Sequence, residues 1–428
     1  MIAPPSPVSA PAPAVPPHGS GEPAPSTLPP LPPDPVGKPR FDRSDFRAEK
    51  TAREVAQAAP APDKRQAALR ELDVYAKMAV EHSERQYATH GTLHDVAKRA
   101  IDARDLWERP WVPWDFDLGR ADLHPVWQRW TQRQRLAWNH LQWGLDYTIV
   151  GRGEQQIIVL NGHAVSSYES VLPAVVDLEK RESFEEIDHL DAFREGLEAL
   201  RLRYLPHRRK VLWATSPSGF QSDTLNRLSR DVIGQVAKRL LGSNFPTLFF
   251  LTRGMKTHNF KPFENAIASY EEAPMGIRQI SHLHRLDESR HMATSLYLAK
   301  LSNVVLETVP VESRALFAAA VHASWPVQRQ VENRVGYWKA VLHEAPIYSD
   351  VSRAEKADLL QHIRSQTEAN LHALHPRQAQ LTRQANKRIV EACGLSPEYK
   401  AIFVDLLRKD PLHASLVDAV DLDATPET

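Results

Sequence analysis

The sequence predicts an all-α protein built around a four-helix bundle, and three observations lead there. Apolar residues recur at helical spacing through four long stretches, about 131–165, 171–204, 222–272 and 277–306. Strand signals are scarce, and turn residues fall between these stretches, with Gly242 and Pro246 breaking the third. The order helix, helix, long connection, helix, helix is that of a bundle with one crossover.

Composition sets the outer limits. Of 428 residues, 42% are hydrophobic and 25% charged, the balance of an ordinary globular chain. Lys plus Arg (53) equals Asp plus Glu (53), so net charge gives no reason to expect a nucleic-acid or membrane-surface partner. The single cysteine, Cys393, excludes an intrachain disulfide and suits a reducing compartment. No apolar run is long enough for a membrane span, and the N-terminus lacks a secretory pattern. A cytoplasmic location is the expectation.

Residues 1–40 alternate Pro with Ala, Ser and Val, as in Pro4-Pro5, Pro16-Pro17 and Pro29-Pro30. Proline fixes φ and removes a backbone donor, so this segment is expected to be a disordered, polyproline-rich tail. Leu28 to Pro33 would also permit docking of a proline-binding module. Residues 41–130 form a lead-in. Its first part, Asp45 to Arg104, reads as exposed charged helix with Leu69, Leu72, Tyr75 and Met78 at helical spacing. In the second part Trp107, Trp111, Trp114, Phe116, Trp127 and Trp130 crowd around Pro110, Pro113 and Pro125. This reads as an irregular segment anchored on the bundle by buried aromatics, or as one wall of a substrate pocket. The core spans 131–306. A helical extension, 307–428, follows, interrupted near Pro346 and Pro376.

The chemistry lies in the core. His284, Glu288 and His291 are spaced four and three apart, so one helix face carries all three. That face continues through Ile277, Ile280, Ser281, Met292, Ser295 and Ala299, which are apolar or small and therefore inward-looking. Buried carboxylates and imidazoles need metal or charge partners. A second Glu-x-x-His step, Glu186 to His189, lies on a face with Val175, Leu178, Glu182, Leu190, Phe193 and Leu197. Two such steps plus a carboxylate from each of two other helices make the carboxylate-bridged dinuclear iron arrangement, and iron suits mixed oxygen and imidazole donors. With a hairpin turn at 170–173, the position at the height of Glu186 on the preceding helix is near 155. Glu154 stands there, on a face with Tyr147, Val150, Ile157, Ile158 and Asn161. Tyr147 itself reads as a core tyrosine. Behind the ligands, Asp287 and Glu185 are placed to reach across and accept from the histidine of the opposite helix.

Over roughly 131–306 the chain resembles the ferritin-like non-haem diiron N-oxygenases, the p-aminobenzoate N-oxygenase-like family. Glu154 with Gln155 matches the family's first helix, Glu186 and His189 its second, and His284, Glu288 and His291 its fourth. The extra histidine, His284, separates this pattern from reductase-like and desaturase-like diiron proteins. The resemblance implies that Glu186 and Glu288 bridge the irons, with Glu154 and the three histidines terminal. Two departures stand out. Glu185 replaces the Asp usual before the second-helix ligand, and the third-helix Glu is not at the expected position. Hairpin symmetry about Pro274 puts that ligand at 256–258, where His258 stands and is selected. Glu264 is the alternative, six to eight residues later, or about 9–12 Å along a helix.

The resemblance implies an O2-dependent monooxygenase of secondary metabolism that converts an amine to hydroxylamine, nitroso or nitro products. Its cofactors would be two iron ions and dioxygen, with no catalytic side chain beyond the metal ligands. No Gly-rich nucleotide fingerprint is visible, so electrons are expected from an external reductase or ferredoxin. The expected partners are a small-molecule amine and that donor, with a homodimer possible. The same ligands would serve a diiron C–H hydroxylase or desaturase, or a non-catalytic iron-binding bundle.

Overall fold

The computed structural model describes residues 44–58, 63–103, 105–211, 246, 249–250, 253, 261–306 and 327–372. The chain divides into Met1–Pro32 and Pro33–Thr428, and all described residues belong to the second unit. Among them all regular structure is helical. The lead-in forms α1 (Ser44–Ala58), α2 (Lys64–His90), α3 (Leu93–Ile101) and α4 (Pro125–Arg129). The core forms α5 (Gln132–Val165), α6 (Pro173–Tyr204), α7 (Lys261–Ala268) and α8 (Met275–Val305). The extension contributes α9 (Val327–Glu344) and α10 (Arg353–His372). No described helix is long and apolar enough to cross a membrane. The 1–40 tail, His258, Cys393, Pro376 and most of the 212–260 connection lie outside the described residues.

Local chemistry explains where the helices begin and end. Thr131 and Gln134 form a reciprocal cap at the start of α5. The Thr131 hydroxyl accepts from the Gln134 N–H (3.2 Å), and the Gln134 side chain accepts from the Thr131 N–H (2.9 Å). Asp63 caps α2 by accepting from the N–H of Gln66 at 2.7 Å. Pro173 opens α6 at a position where its missing N–H costs nothing. Gly91, at φ 77°, ends α2 and returns its N–H to the carbonyl of Tyr87. Only glycine takes that left-handed conformation without strain.

α5 and α6 pair along their length as an antiparallel hairpin. α8 lies against α7, α2 and α3, and α2 and α3 also pack on α6. The pairing of α5 with α6 is tight at Gly196, where a Cβ would fall 2.6 Å from the Trp143 ring. One apolar core joins Leu72, Tyr75 and Ala79 of α2 to Tyr168, Leu178, Phe250, Leu298 and Val305. This corrects the reading of 45–104 as exposed helix. A third of α2 is charged, yet Ala68, Leu72, Tyr75, Ala76, Ala79 and Ser83 form a narrow buried stripe. Its small residues permit close helix approach.

The tryptophan-rich lead-in is tied to the first half of α5. The Asn139 carbonyl oxygen accepts from the N–H groups of Trp111 (2.6 Å) and Val112 (3.1 Å), and its amide donates to the Val112 carbonyl (2.7 Å). Buried Asp117 accepts from Gly119, Ala121 and the Trp138 indole. On its other side Trp138 stacks flat on Trp338 of α9, with centroids 3.5 Å apart. Fully burying each of these aromatics contributes roughly 4–6 kcal/mol before entropy is counted. Of the six aromatics of the segment, Trp111 and Trp130 are buried, while Trp107, Trp114, Phe116 and Trp127 are half-buried. Phe116 also packs on Phe263 (5.5 Å), which lies 6.0 Å from Tyr147.

Candidate metal centre

Three of the core helices deliver donors from the middle of their spans. α5 brings Glu154, α6 brings Glu186 and His189, and α8 brings His284, Glu288 and His291. All six side chains are buried, none more than 7% exposed. Their inward faces have the character the periodicity predicts: Tyr147, Val150, Val175, Phe193, Ile277, Ile280 and Ser281 are buried beside them.

The donors form two adjoining groups, each with ligand atoms within 4.8 Å of one another: Glu154, His189, His284 and Glu288, and then Glu186, Glu288 and His291. Glu288 belongs to both. Glu186 also touches both, lying 3.4 Å from His189 Nδ1 and 3.1 Å from His291 Nδ1. Glu154 spans His189 Nδ1 (3.2 Å) and His284 Nε2 (2.8 Å). Such a buried cluster of carboxylates and imidazoles could hold a metal ion.

The orientation of two histidines is set from behind. His189 Nε2 meets Asp287 Oδ2 at 3.1 Å, and His291 Nε2 meets Glu185 Oε2 at 2.7 Å. Each carboxylate comes from the opposite helix, as the sequence predicts. Because a carboxylate can only accept, each Nε2 carries the proton, and Nδ1 is turned towards Glu154, Glu186 and Glu288. Arg290 locks both carboxylates, donating to Glu185 (2.6 Å) and Asp287 (3.0 Å). Gln86 of α2 donates to Asp287 at 2.6 Å and accepts from Arg290, and Ser83 donates to Glu185. The lead-in helix thus completes the support.

The electrostatics favour a cation. Burial pushes the Glu154 carboxyl up, and the Glu186 charge pushes it further. Burial works against His284 as well, yet Glu264 and Glu154 outweigh it and hold its imidazole at about 10. His189 and His291 are likewise held well above the usual range, the carboxylates beside them overcoming burial. Glu186 Oε2 is buried and accepts no hydrogen bond, with His189 Nδ1 3.4 Å away as an ion-pair partner. Protons on imidazoles facing carboxylate oxygens mark the places a divalent ion would take, so the residues fit the metal they suggest.

On the third element, Glu264 of α7 is buried, and one of its oxygens pairs with His284 Nδ1. Its other oxygen is buried without a hydrogen-bond partner. Of the two alternatives Glu264 is the one brought to the cluster; His258 lies outside the described residues. α7 carries Glu264 to His284 although equal spacing from Pro274 selects position 258, so that spacing does not carry unchanged to this element.

Sequence reasoning missed Arg253 and Glu179, though it placed Glu182 and Glu186 on the inward face. Fully buried, Arg253 donates to Glu182 and to Glu186 Oε1 (3.0 Å), with Glu179 3.8 Å away. The carboxylates of Glu182, Glu186 and Glu179 hold its pKa above the ordinary value, against burial. A signal existed: Glu179, Glu182 and Glu186 are spaced three and four apart on an inward face, and such a ladder requires a buried cation. Set against known proteins, the chain matches no family model, no curated protein and no solved structure.

Proposed function

We propose that this chain is a non-haem dinuclear iron oxygenase acting on the nitrogen of a small amine. The observation that carries the reading is the crossed pair His189–Asp287 and His291–Glu185. It turns two Nδ1 atoms on opposite helices towards three carboxylates. Structural single-metal sites in helices have no need of this two-fold duplication; dinuclear carboxylate sites are built on it. The preference for nitrogen rests on the resemblance, which His284 carries.

Glu154, His189 and His284 would hold one iron and His291 the other, with Glu186 and Glu288 between them and Glu264 braced against His284. When bound, the two irons supply the redox chemistry that reduces dioxygen, with electrons from an external donor. The protein's share is placement and dryness. Asp287 and Glu185 keep the Nε2 protons in place, so Nδ1 stays available as donor. Phe193, whose ring lies 5.0 Å from that of His284, and Tyr147 exclude water from that side.

The test is anaerobic reconstitution with Fe(II), followed by exposure to dioxygen with aryl- and alkylamines. About two irons per chain, matching the duplicated Glu-x-x-His step, and N-oxidised product are expected. A single ion with no oxygen consumption would overturn the reading. Oxidation at carbon alone would keep the metal centre and reject the substrate class.

A further inference from the structure

From the metal cluster a continuous file of oxidisable rings leads outward. Tyr147 lies 6.3 Å, centroid to centroid, from His284 and 4.4 Å from Trp143, one turn earlier on α5. Trp143 meets Trp111 at 5.4 Å, and Trp111 meets Trp107 at 5.1 Å. Trp107, half-buried, lies 5.9 Å from Tyr204. The order is fixed by packing: Gly196 seats Trp143, and Asn139 pins the backbone of Trp111.

The two ends of the file differ in what they do with a proton. The Tyr147 hydroxyl meets only the Ser281 hydroxyl, at 2.7 Å, and a serine cannot keep a proton. The Tyr204 hydroxyl meets His140 Nδ1 at 2.7 Å. His140 Nε2 lies 2.8 Å from the Arg109 carbonyl, which can only accept, so Nε2 carries the hydrogen and Nδ1 is a free base facing the phenol. Between the ends, the Trp143 Nε1 is buried without a hydrogen-bond partner, so Trp143 can pass an electron without losing its proton.

We propose that this file is a one-electron relay that carries an oxidising equivalent from the metal centre to the Tyr204–His140 pair when no amine is bound. The inference rests on the oxygenase reading. Tyrosine and tryptophan are, with cysteine and methionine, the side chains most readily oxidised by one electron, and rings in near contact exchange electrons quickly. An electron moves inward from Trp143 to the centre across the intervening Tyr147 ring, which has no base to take its proton and so does not hold the oxidation. Electrons then move from Trp111 to Trp143, from Trp107 to Trp111, and finally from Tyr204 to Trp107. The Tyr204 O–H bond breaks and an N–H bond forms at His140 Nδ1. Burial, then Arg203, holds the His140 imidazole down at about 3; an oxidised phenol is acidic enough to protonate even so weak a base. A small external reductant of the thiol or ascorbate class then returns one electron to Tyr204, and the proton returns from His140. Arg203 lies 4.7 Å over the Trp107 ring and 5.9 Å over that of Tyr204, disfavouring positive charge on both; only Tyr204 can shed that charge, by passing its proton to His140.

The full-length, iron-loaded, reduced protein would be mixed with dioxygen without amine, freeze-quenched, and read by electron paramagnetic resonance. A tyrosyl signal that narrows with ring-deuterated tyrosine is expected. It should vanish in Tyr204→Phe and be largely lost in Trp143→Phe, with iron content and circular dichroism unchanged in both. A signal indifferent to both substitutions, or no radical in protein that holds iron and consumes oxygen, would overturn the relay. Should the chain hold no iron, the oxygenase reading fails instead. The outer half of the relay is tested without metal, using a photogenerated ruthenium(III) polypyridyl oxidant. The radical should settle on Tyr204 in the wild type and not in His140→Phe; a radical spread over other aromatics in both would reject it.

Discussion

Asp287 of α8 and His189 of α6 face each other across the bundle, with Oδ2 and Nε2 3.1 Å apart, and neither is near the end of its helix. The contact fixes which nitrogen of His189 faces the carboxylate cluster. Asp287→Asn keeps the shape but lets the ring turn or change tautomer. Metal affinity should fall about 10- to 100-fold, the usual consequence of losing such a partner. Competition with a metal indicator, alongside circular dichroism to show an intact fold, measures it. An unchanged affinity would mean that the ring is held by packing alone.

Glu264 and His258 can be separated by their effects on metal content. Glu264→Ala removes the carboxylate behind His284 Nδ1, and should weaken iron binding and alter the optical spectrum of the loaded protein. His258→Ala should leave both unchanged. The reverse pattern would restore the hairpin rule that selects His258.

Arg253 balances a fully buried ladder of Glu179, Glu182 and Glu186. Arg253→Met leaves Glu182 and Glu186 without their cation, and breaking a buried ion pair on one side costs about 3–5 kcal/mol. Urea unfolding of the metal-free variant should show a loss of that order. The double variant with Glu182→Gln should recover part of it, whereas strict additivity would show that the pair is not coupled.

His140 gives the fold a pH dependence of its own. Its folded pKa is depressed to about 3 from 6.5, first by burial and then by Arg203. Below 6.5 the unfolded chain therefore binds a proton that the folded chain refuses. The contribution is complete above pH 6.5 and is lost as pH falls towards 3, at up to about 1.4 kcal/mol per pH unit. His140→Gln removes this slope. The stability difference between wild type and variant should shrink steadily between pH 6.5 and 4; a constant difference would place the titration elsewhere.

Gly196 tests the α5–α6 contact. A methyl group there would stand 2.6 Å from the Trp143 ring, and overpacking of this kind costs about 1–3 kcal/mol. Gly196→Ala should lower the unfolding free energy by that amount and change Trp fluorescence.

What the sequence reveals and what it hides follow from the same physics. α5, α6 and α8 are legible because each is long and keeps donors and apolar residues on one face, so periodicity locates both the helix and its ligands within two residues of its observed ends. Asp287 and Glu185 are legible because each sits beside a central glutamate. The third element is not legible by symmetry: α7 carries Glu264 to His284, whereas equal spacing from Pro274 points to His258. Ser83 and Gln86 are hidden for another reason. A third of α2 is charged, and the few small residues that let it approach the site leave no strong hydrophobic signal.

The longest described helix, α5, also ties the extension to the buried carboxylate and imidazole cluster. Near its start, Gln134 donates to the Ile347 carbonyl and its own carbonyl accepts from the Tyr348 hydroxyl. Twenty residues on, about 30 Å along the same rod, α5 presents Glu154. A rigid rod transmits displacement along its axis with little loss. Pulling the extension away from Gln134 therefore loads the carboxylate that touches both His189 and His284. The extension and the metal centre should come apart in one calorimetric transition, and clipping the chain before α9 should be felt as a looser grip on metal at the far end of the rod.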